Sequence, residues 1–289
     1  MDKVIDLGQL RSELQVEDDF KSPPSLLQEI LAVTEDPRSG AKDVQAIVER
    51  DMSCAVKLLR LANSAYYGFS RQIKTVREAI VIIGLDGVKN VAMSLGVAEV
   101  FTKGTPAEKA FFNNLWIHSM ATATAASLLS RKVPNVVPSL AYCAGLLHDF
   151  GKVILFHHFG VEYEEVINRA AETKSSLLAL ERKFLGVDHA LVGYWIAETW
   201  DLPQVVTETL QMHHDSGPWD YARQHIPLVG IADVLAYESR VGNGGNFSAR
   251  RYDDPFFNPL RFDEAQIKSV MNDLRKESSR FAAMLHLDP

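Results

Sequence analysis

Cysteine is nearly missing from this chain of 289 residues: Cys54 and Cys143 are the only two, both inside apolar helical patterns and without CxxC spacing. That excludes a disulfide framework and a CxxC redox pair, leaving two small core residues suited to a reducing compartment. Positive charge is also in deficit. Thirty Lys and Arg against 37 Asp and Glu give a net charge of −7, which argues against a polyanion as main partner, since binding a phosphate backbone needs surplus cations. No run approaches the roughly 18 apolar residues of a membrane span, and the start, Met1-Asp-Lys-Val-Ile-Asp6, lacks a signal-peptide pattern. A cytoplasmic location without membrane contact is therefore expected. Strand alternation of any strength is absent, as are internal repeats. What remains is 47% hydrophobic and 23% charged, enough for a sizeable core in one large domain or two smaller ones.

The punctuation is helical throughout, and the fold class it predicts is all-α. Residues 1–21 form an acidic lead that reads as a short helix or a frayed tail. Pro23-Pro24 then opens a helical half, residues 22–104, with helices over 25–34, 41–50, 52–63, 76–83 and 86–101. The breaker-rich Thr102-Lys-Gly-Thr-Pro106 marks the best internal boundary. A second half, residues 105–240, starts with a long helix over 107–132. It continues through 140–147, 163–173, 177–184, an Asp188-capped helix to Thr199, and helices opened by Pro203 and Pro227. Residues 241–289 read as a loop and a last helix over 263–285. The loop, Gly242-Asn-Gly-Gly-Asn246 through Pro259, looks too polar and irregular to pack. An unpacked insertion is expected there rather than a contact region.

Several helices carry a metal-competent side chain on the face that should be apolar. His118 shares a stripe with Leu115, Thr122, Ala125 and Leu129. His148-Asp149 follows the apolar run 141–147, with Gly151 placed to let the helix break so that the two side chains converge. His189 aligns with Val192, Gly193, Ile196 and Trp200; His213 and His214 end one helix; Asp233 shares a face with Val229 and Ala236. One at a time, each fits a satisfied core residue. Five imidazoles and two carboxylates together suit Zn, Mn, Fe or Ni, and a carboxylate can bridge two ions. Two ions about 3.5–4 Å apart clamp a phosphoryl group for in-line attack. Lys152 lies close enough in sequence to meet a phosphate oxygen, or it is a solvated lysine past a helix end.

The order His118, His148-Asp149, Asp233 resembles the HD phosphohydrolase superfamily, and His189 with His213-His214 adds the ligands of its two-metal, HD-GYP-like branch. The resemblance implies one ion held by His118, His148, Asp149 and Asp233. Asp149 would bridge to a second ion on His189, His213 and His214. After His214 the chain reads Asp-Ser-Gly-Pro-Trp219, without Gly-Tyr-Pro, so the resemblance does not extend to cyclic-di-GMP hydrolysis. Pro23-Pro24-Ser-Leu-Leu27, Ile47-Val-Glu-Arg-Asp51, Leu58 to Gly68, Ala79 to Leu85, Gly145-Leu-Leu-His-Asp-Phe-Gly-Lys152, Phe184 to His189, Trp200-Asp-Leu-Pro203 and His213-His214-Asp215 resemble the HDOD family over residues 22–240. That likeness implies an N-terminal helical subdomain packed on an HD-like helical subdomain.

Family members are regarded as signalling output domains related to HD phosphohydrolases, and many have lost catalytic residues; this ligand set looks whole. The resemblance thus implies a regulatory module with a retained metal site, of one or two divalent transition ions (Fe or Mn favoured, Zn or Ni also suited). A signalling protein or a small phosphorylated ligand would be its partner. The alternative is a metal-dependent phosphohydrolase acting on a nucleotide or other phosphoester. DNA binding fares badly: residues 86–101 carry one lysine, two acids and mostly Val, Ala and Leu, a core helix and not a recognition helix. Asn63 with Ser64, Ala65, Tyr66 and Tyr67 reads as a helix stop whose aromatics pack over the junction of the two halves, or as a partner surface.

Overall fold

The computed structural model of the chain describes residues 6–16, 20–63, 72–102, 104–215, 217, 219, 223–247, 251–254, 257 and 260–285. Among them every regular element is helical. The Ser64 to Tyr67 patch lies outside them, but Asn63 is described. Its side-chain amide donates to the Ile73 carbonyl and accepts from the Ile73 N–H, both at 2.7 Å.

The first elements are α1 (Leu7–Val16), α2 (Ser25–Glu35), α3 (Ala41–Arg50), α4 (Met52–Ala62), α5 (Val76–Ile83) and α6 (Leu85–Ala98), closed by a 3-10 turn at Glu99–Thr102. Helices α2 to α6 pack on one another, and α2 and α6 also reach the second half through α8 (Pro138–Leu147). A buried hydroxyl pair, Ser94 Oγ and Tyr142 Oη at 2.7 Å, ties α6 to α8. Within the acidic lead, Leu7–Val16 is a helix. Leu10 and Leu14 are buried, Arg11 pairs with Glu198 at 2.9 Å, and the Trp200 indole N–H donates to the Phe20 carbonyl.

The hub is α7 (Pro106–Ser130), which packs on α8, α14 (His225–Glu238) and α15 (Glu264–Leu285). Its start is written in sequence: Thr105 and Glu108 form a reciprocal capping box, with Pro106 in the first turn where no N–H is needed. Phe112, Leu115 and Trp116 on α7 are fully buried, and the Trp116 indole N–H donates to Phe281 on α15. Helices α9 (Gly151–Phe159), α10 (Val161–Thr173), α11 (Leu177–Leu185), α12 (His189–Thr199) and α13 (Gln204–Met212) complete the shell. One stretch, Pro138–Phe159, has the length and hydropathy of a membrane span, but it is 94% buried inside the fold. It carries the polar residues considered next.

Among the described residues after Val241 the expectation of an unpacked loop fails. Residues 242–247 lie against α7, with Gly244 and Gly245 buried, and Phe257 and Leu260 join the core. The reason is the glycines. Gly242, Gly244 and Gly245 all have positive φ, and the missing side chains let bare backbone settle onto Phe111 and His118.

Candidate metal centre

Two close helix contacts bring the polar residues together, and glycine makes both. A Cβ on Gly145 would lie 2.8 Å from Ala123 Cα, so α8 sits directly against α7, the helix that carries His118. A Cβ on Gly151 would lie 1.9 Å from the His189 carbonyl oxygen, so α9 sits directly against the start of α12. The expected interruption of the helix is present: α8 ends at Leu147 and α9 begins at Gly151, and between them the chain tightens with i to i+3 hydrogen bonds from Phe150 N to Leu147 O and from Lys152 N to Asp149 O. Across this turn His148 Nε2 and Asp149 Oδ2 approach to 3.3 Å.

All seven expected ligands meet in one cluster, buried except for the partly exposed His214. In the first group, His118 Nε2 lies 2.9 Å from Asp233 Oδ1 and 3.7 Å from Asp149 Oδ2, and His148 Nε2 lies 3.9 Å from Asp233 Oδ1. In the second, His189 Nε2 lies 3.3 Å and His213 Nε2 3.7 Å from Asp149 Oδ1, and His189 Nε2 lies 2.9 Å from His214 Nε2. Each Asp149 oxygen thus serves one group. Donors about 2.1 Å from a common ion stand roughly 3.0–3.4 Å apart at octahedral and tetrahedral angles. The spacings observed bracket that range.

The proton positions decide between a hydrogen-bonded network and a metal site. His148 Nδ1 lies 2.8 Å from the Gly145 carbonyl and His213 Nδ1 3.0 Å from the Leu210 carbonyl. A carbonyl only accepts, so both rings carry their proton on Nδ1 and turn an Nε2 lone pair inward. His189 Nδ1 faces Glu181 Oε2 at 2.6 Å, with the same consequence. Lone pairs therefore face carboxylate oxygens. His118 Nε2, His148 Nε2, His213 Nε2, Asp149 Oδ1 and Asp233 Oδ1 are all buried without a hydrogen-bond partner. Orphaned acceptors converging in a dry interior repel one another unless a cation lies between them. The donor set fits divalent transition metal.

Burial works against charge on Asp149, but positive charge beside it, from His148 when that ring is protonated and from the Lys152 ammonium, holds its carboxyl well below the usual carboxylate range; a protonated His118 lowers Asp233 likewise against its own burial. Both stay ionised as ligands. Burial and the neighbouring rings of His213 and His189 push His214 well below the ordinary imidazole value, which keeps it neutral. The unfolded chain takes up that proton first, so its stabilising effect is complete above pH ~6.5 and is lost as pH falls below it. Thermal unfolding of metal-free protein is accordingly expected to hold its midpoint from pH 8 to 7 and to decline from about pH 6.5 downward. Bound metal measured after desalting should fall in the same window.

Lys152 departs from the solvated reading of its sequence. It is fully buried. Its ammonium donates to Asp149 Oδ2 at 2.6 Å, the Gly244 carbonyl at 2.9 Å and Asn246 Oδ1 at 3.2 Å, which uses all three N–H bonds.

Glu181 was missed. One Oε2 accepts from both the backbone N–H and Nδ1–H of His189, and Oε1 accepts from the Tyr163 hydroxyl at 2.7 Å. Burial and then Glu181 raise the Tyr163 pKa well above its ordinary value, so the phenol remains a donor. The signal was present: Leu177, Glu181 and Leu185 recur every four residues and are all buried, an acid on an apolar stripe like His118. A carboxylate behind a ligating imidazole fixes its tautomer and orientation. Glu181→Gln is expected to weaken metal binding at the His189 group about 10- to 100-fold, read by competition with a chromogenic chelator.

The sequence profile of the HDOD domain matches residues 20–216. A Geobacter sulfurreducens HDOD domain protein of unknown function superposes with a TM-score of 0.78 at 24% identity, covering 96% of this chain and 97% of that one. A Marinobacter aquaeolei protein, provisionally described as a signal transduction protein, gives 0.76 at 23% identity over 96% of this chain and 65% of that one. A Shewanella amazonensis protein, provisionally described as a phosphohydrolase, gives 0.70 at 17% identity over 96% and 97%. These likenesses establish the fold. The chain spans only 38% of the length of a curated relative, an uncharacterized Treponema pallidum protein that is 29% identical over 203 residues.

Proposed function

The chain belongs to the HDOD family, and from that premise we propose that it is a regulatory module built on a retained two-metal centre. The observation that carries this reading is the set of buried, unpartnered Nε2 and carboxylate oxygen atoms facing one another across Asp149. A purely structural network would have paired them. His118, His148, Asp149 and Asp233 hold one ion in this reading, and Asp149, His189, His213 and His214 the other. Imidazole and carboxylate donors without thiolate suit Fe or Mn, with Zn and Ni also compatible. A signalling protein or a small phosphorylated ligand would receive or supply the signal.

A second reading, hydrolysis of a nucleotide or other phosphoester, is favoured by charge. Asp149, Asp233 and Glu181 against Lys152 leave a deficit of two positive charges when the imidazoles are neutral. One divalent ion cancels it. A second leaves a surplus that an anionic phosphoester would neutralise. Bound there, such ions supply Lewis-acid polarisation and a hydroxide at neutral pH. The protein's own part is to orient the ligands through Gly145, Leu210 and Glu181, and to exclude water around them. His214, the ligand left partly exposed, marks the side from which a substrate would approach.

The test is elemental analysis of protein purified without chelator or added metal, followed by a screen of phosphomonoesters and phosphodiesters. Near two equivalents of transition metal with turnover supports the enzyme. The same metal without turnover supports the regulatory module. No metal, even after reconstitution with Mn or Fe, removes both.

A further inference from the structure

Residues 242–247 and Asp233 lie beyond the span matched by the HDOD profile, yet this glycine strap touches the first ligand group more closely than any helix requires. A Cβ on Gly242 would lie 2.5 Å from His118 N. One on Gly244 would lie 2.7 Å from the His118 ring and 3.0 Å from Asp149 Oδ2. The strap is held by polar latches. Asn114 on α7 donates from Nδ2 to Asn243 Oδ1 at 2.8 Å and accepts from Asn243 N at 3.3 Å. Lys152 holds the Gly244 carbonyl and Asn246 Oδ1 with two of its N–H bonds and Asp149 Oδ2 with the third. One ammonium therefore joins the strap to the carboxylate that bridges the two ligand groups.

We propose that the strap reports and regulates metal occupancy: filling the first ligand group loosens residues 242–247, and the closed strap slows exchange of the ion beneath it. The inference rests on the metal-centre reading. A cation drawing on Asp149 Oδ2 competes with Lys152 for the same oxygen's electron density and repels the ammonium. Lys152 then holds Gly244 and Asn246 less firmly. By linkage, whatever favours the open strap favours the loaded site to the same degree. The state of a buried site is thereby passed to a segment at the surface, where Asn243, Asn246 and Phe247 are only partly covered. That is the output a signalling module needs.

The experiment uses the whole chain and Mn2+ as probe. Hydrogen–deuterium exchange of residues 242–247 is compared in metal-free and Mn-loaded protein, and Mn release into excess EDTA is timed for wild type and Asn246→Ala. Loading is expected to speed strap exchange about fivefold or more, within the usual range of such couplings. Asn246→Ala is expected to speed Mn release with unchanged stoichiometry, at a modest cost in thermal midpoint because one N–H of the buried Lys152 loses its acceptor. If Mn is not taken up at all, the metal-centre reading falls and this inference with it. If Mn binds while strap exchange stays the same or slows, or if Asn246→Ala releases Mn at the wild-type rate, the strap inference alone is overturned.

Discussion

Asp149→Asn is expected to empty both metal positions, whereas His118→Ala and His214→Ala each empty one. The asymmetry follows from the bridge. His118 and His148 approach Oδ2, His189 and His213 approach Oδ1, and among the described residues no other serves both groups. Asparagine keeps the shape but puts a neutral amide where two cations need an anion. It also strands the Lys152 ammonium, fully buried, with only Gly244 and Asn246 to hold it. Breaking a buried ion pair from one side costs about 3–5 kcal/mol. Asp149→Asn should therefore lose stability as well as metal. The double variant Asp149→Asn with Lys152→Met should recover most of the stability and none of the metal, because the stranded charge is gone and the bridge is not restored. Metal content by elemental analysis, beside urea unfolding midpoints, checks all four variants. Retention of one full equivalent in Asp149→Asn would show that the two groups do not share this carboxylate.

The all-α architecture was legible because its signals are local. Capping by Thr105 and Asp188, first-turn prolines at Pro106 and Pro227, and apolar stripes at helical spacing each specify their own helix without reference to the rest of the chain. The expected ligands were legible for a related reason. A histidine among Leu115, Ala125 and Leu129 contradicts its surroundings, and the contradiction can be read from one helix. What stayed hidden depends on distance between elements. Gly145 and Gly151 are glycine because another helix's backbone lies where a side chain would go, and no local pattern announces that.

Residues 242–247 misled for a similar reason. Glycine and asparagine in sequence look the same whether the backbone waves in solvent or lies flat on an imidazole. Lys152 misled because a cation after an apparent helix end normally reaches water, while here the strap closes over it. Glu181 is a different failure. Its stripe with Leu177 and Leu185 is readable in the sequence as an acid among apolar residues at helical spacing.

Gly151→Ala carries the second large expected effect, and it tests how the second ligand group is built. The added Cβ would meet the His189 carbonyl oxygen at 1.9 Å and Gly193 N at 2.8 Å, both backbone atoms that no rotamer change can move. Helices α9 and α12 would have to separate by more than an ångström. Overpacking of this kind costs typically 1–3 kcal/mol and more where nothing yields, so the loss should lie at or above the top of that range. The displacement acts on the ligands directly. His189 is the first residue of α12 and Asp149 sits two residues before the glycine, so moving the helices apart pulls Nε2 away from Oδ1. Gly193 lies across the same contact and supplies the control: its Cβ would stand 3.5 Å from Gly151 N, an ordinary distance. Gly193→Ala should stay near wild type in stability and in metal. Gly151→Ala should unfold at markedly lower urea and, in the fraction that remains folded, hold one equivalent and not two. Should Gly151→Ala match Gly193→Ala in both measurements, the close backbone contact is not what sets His189 beside Asp149.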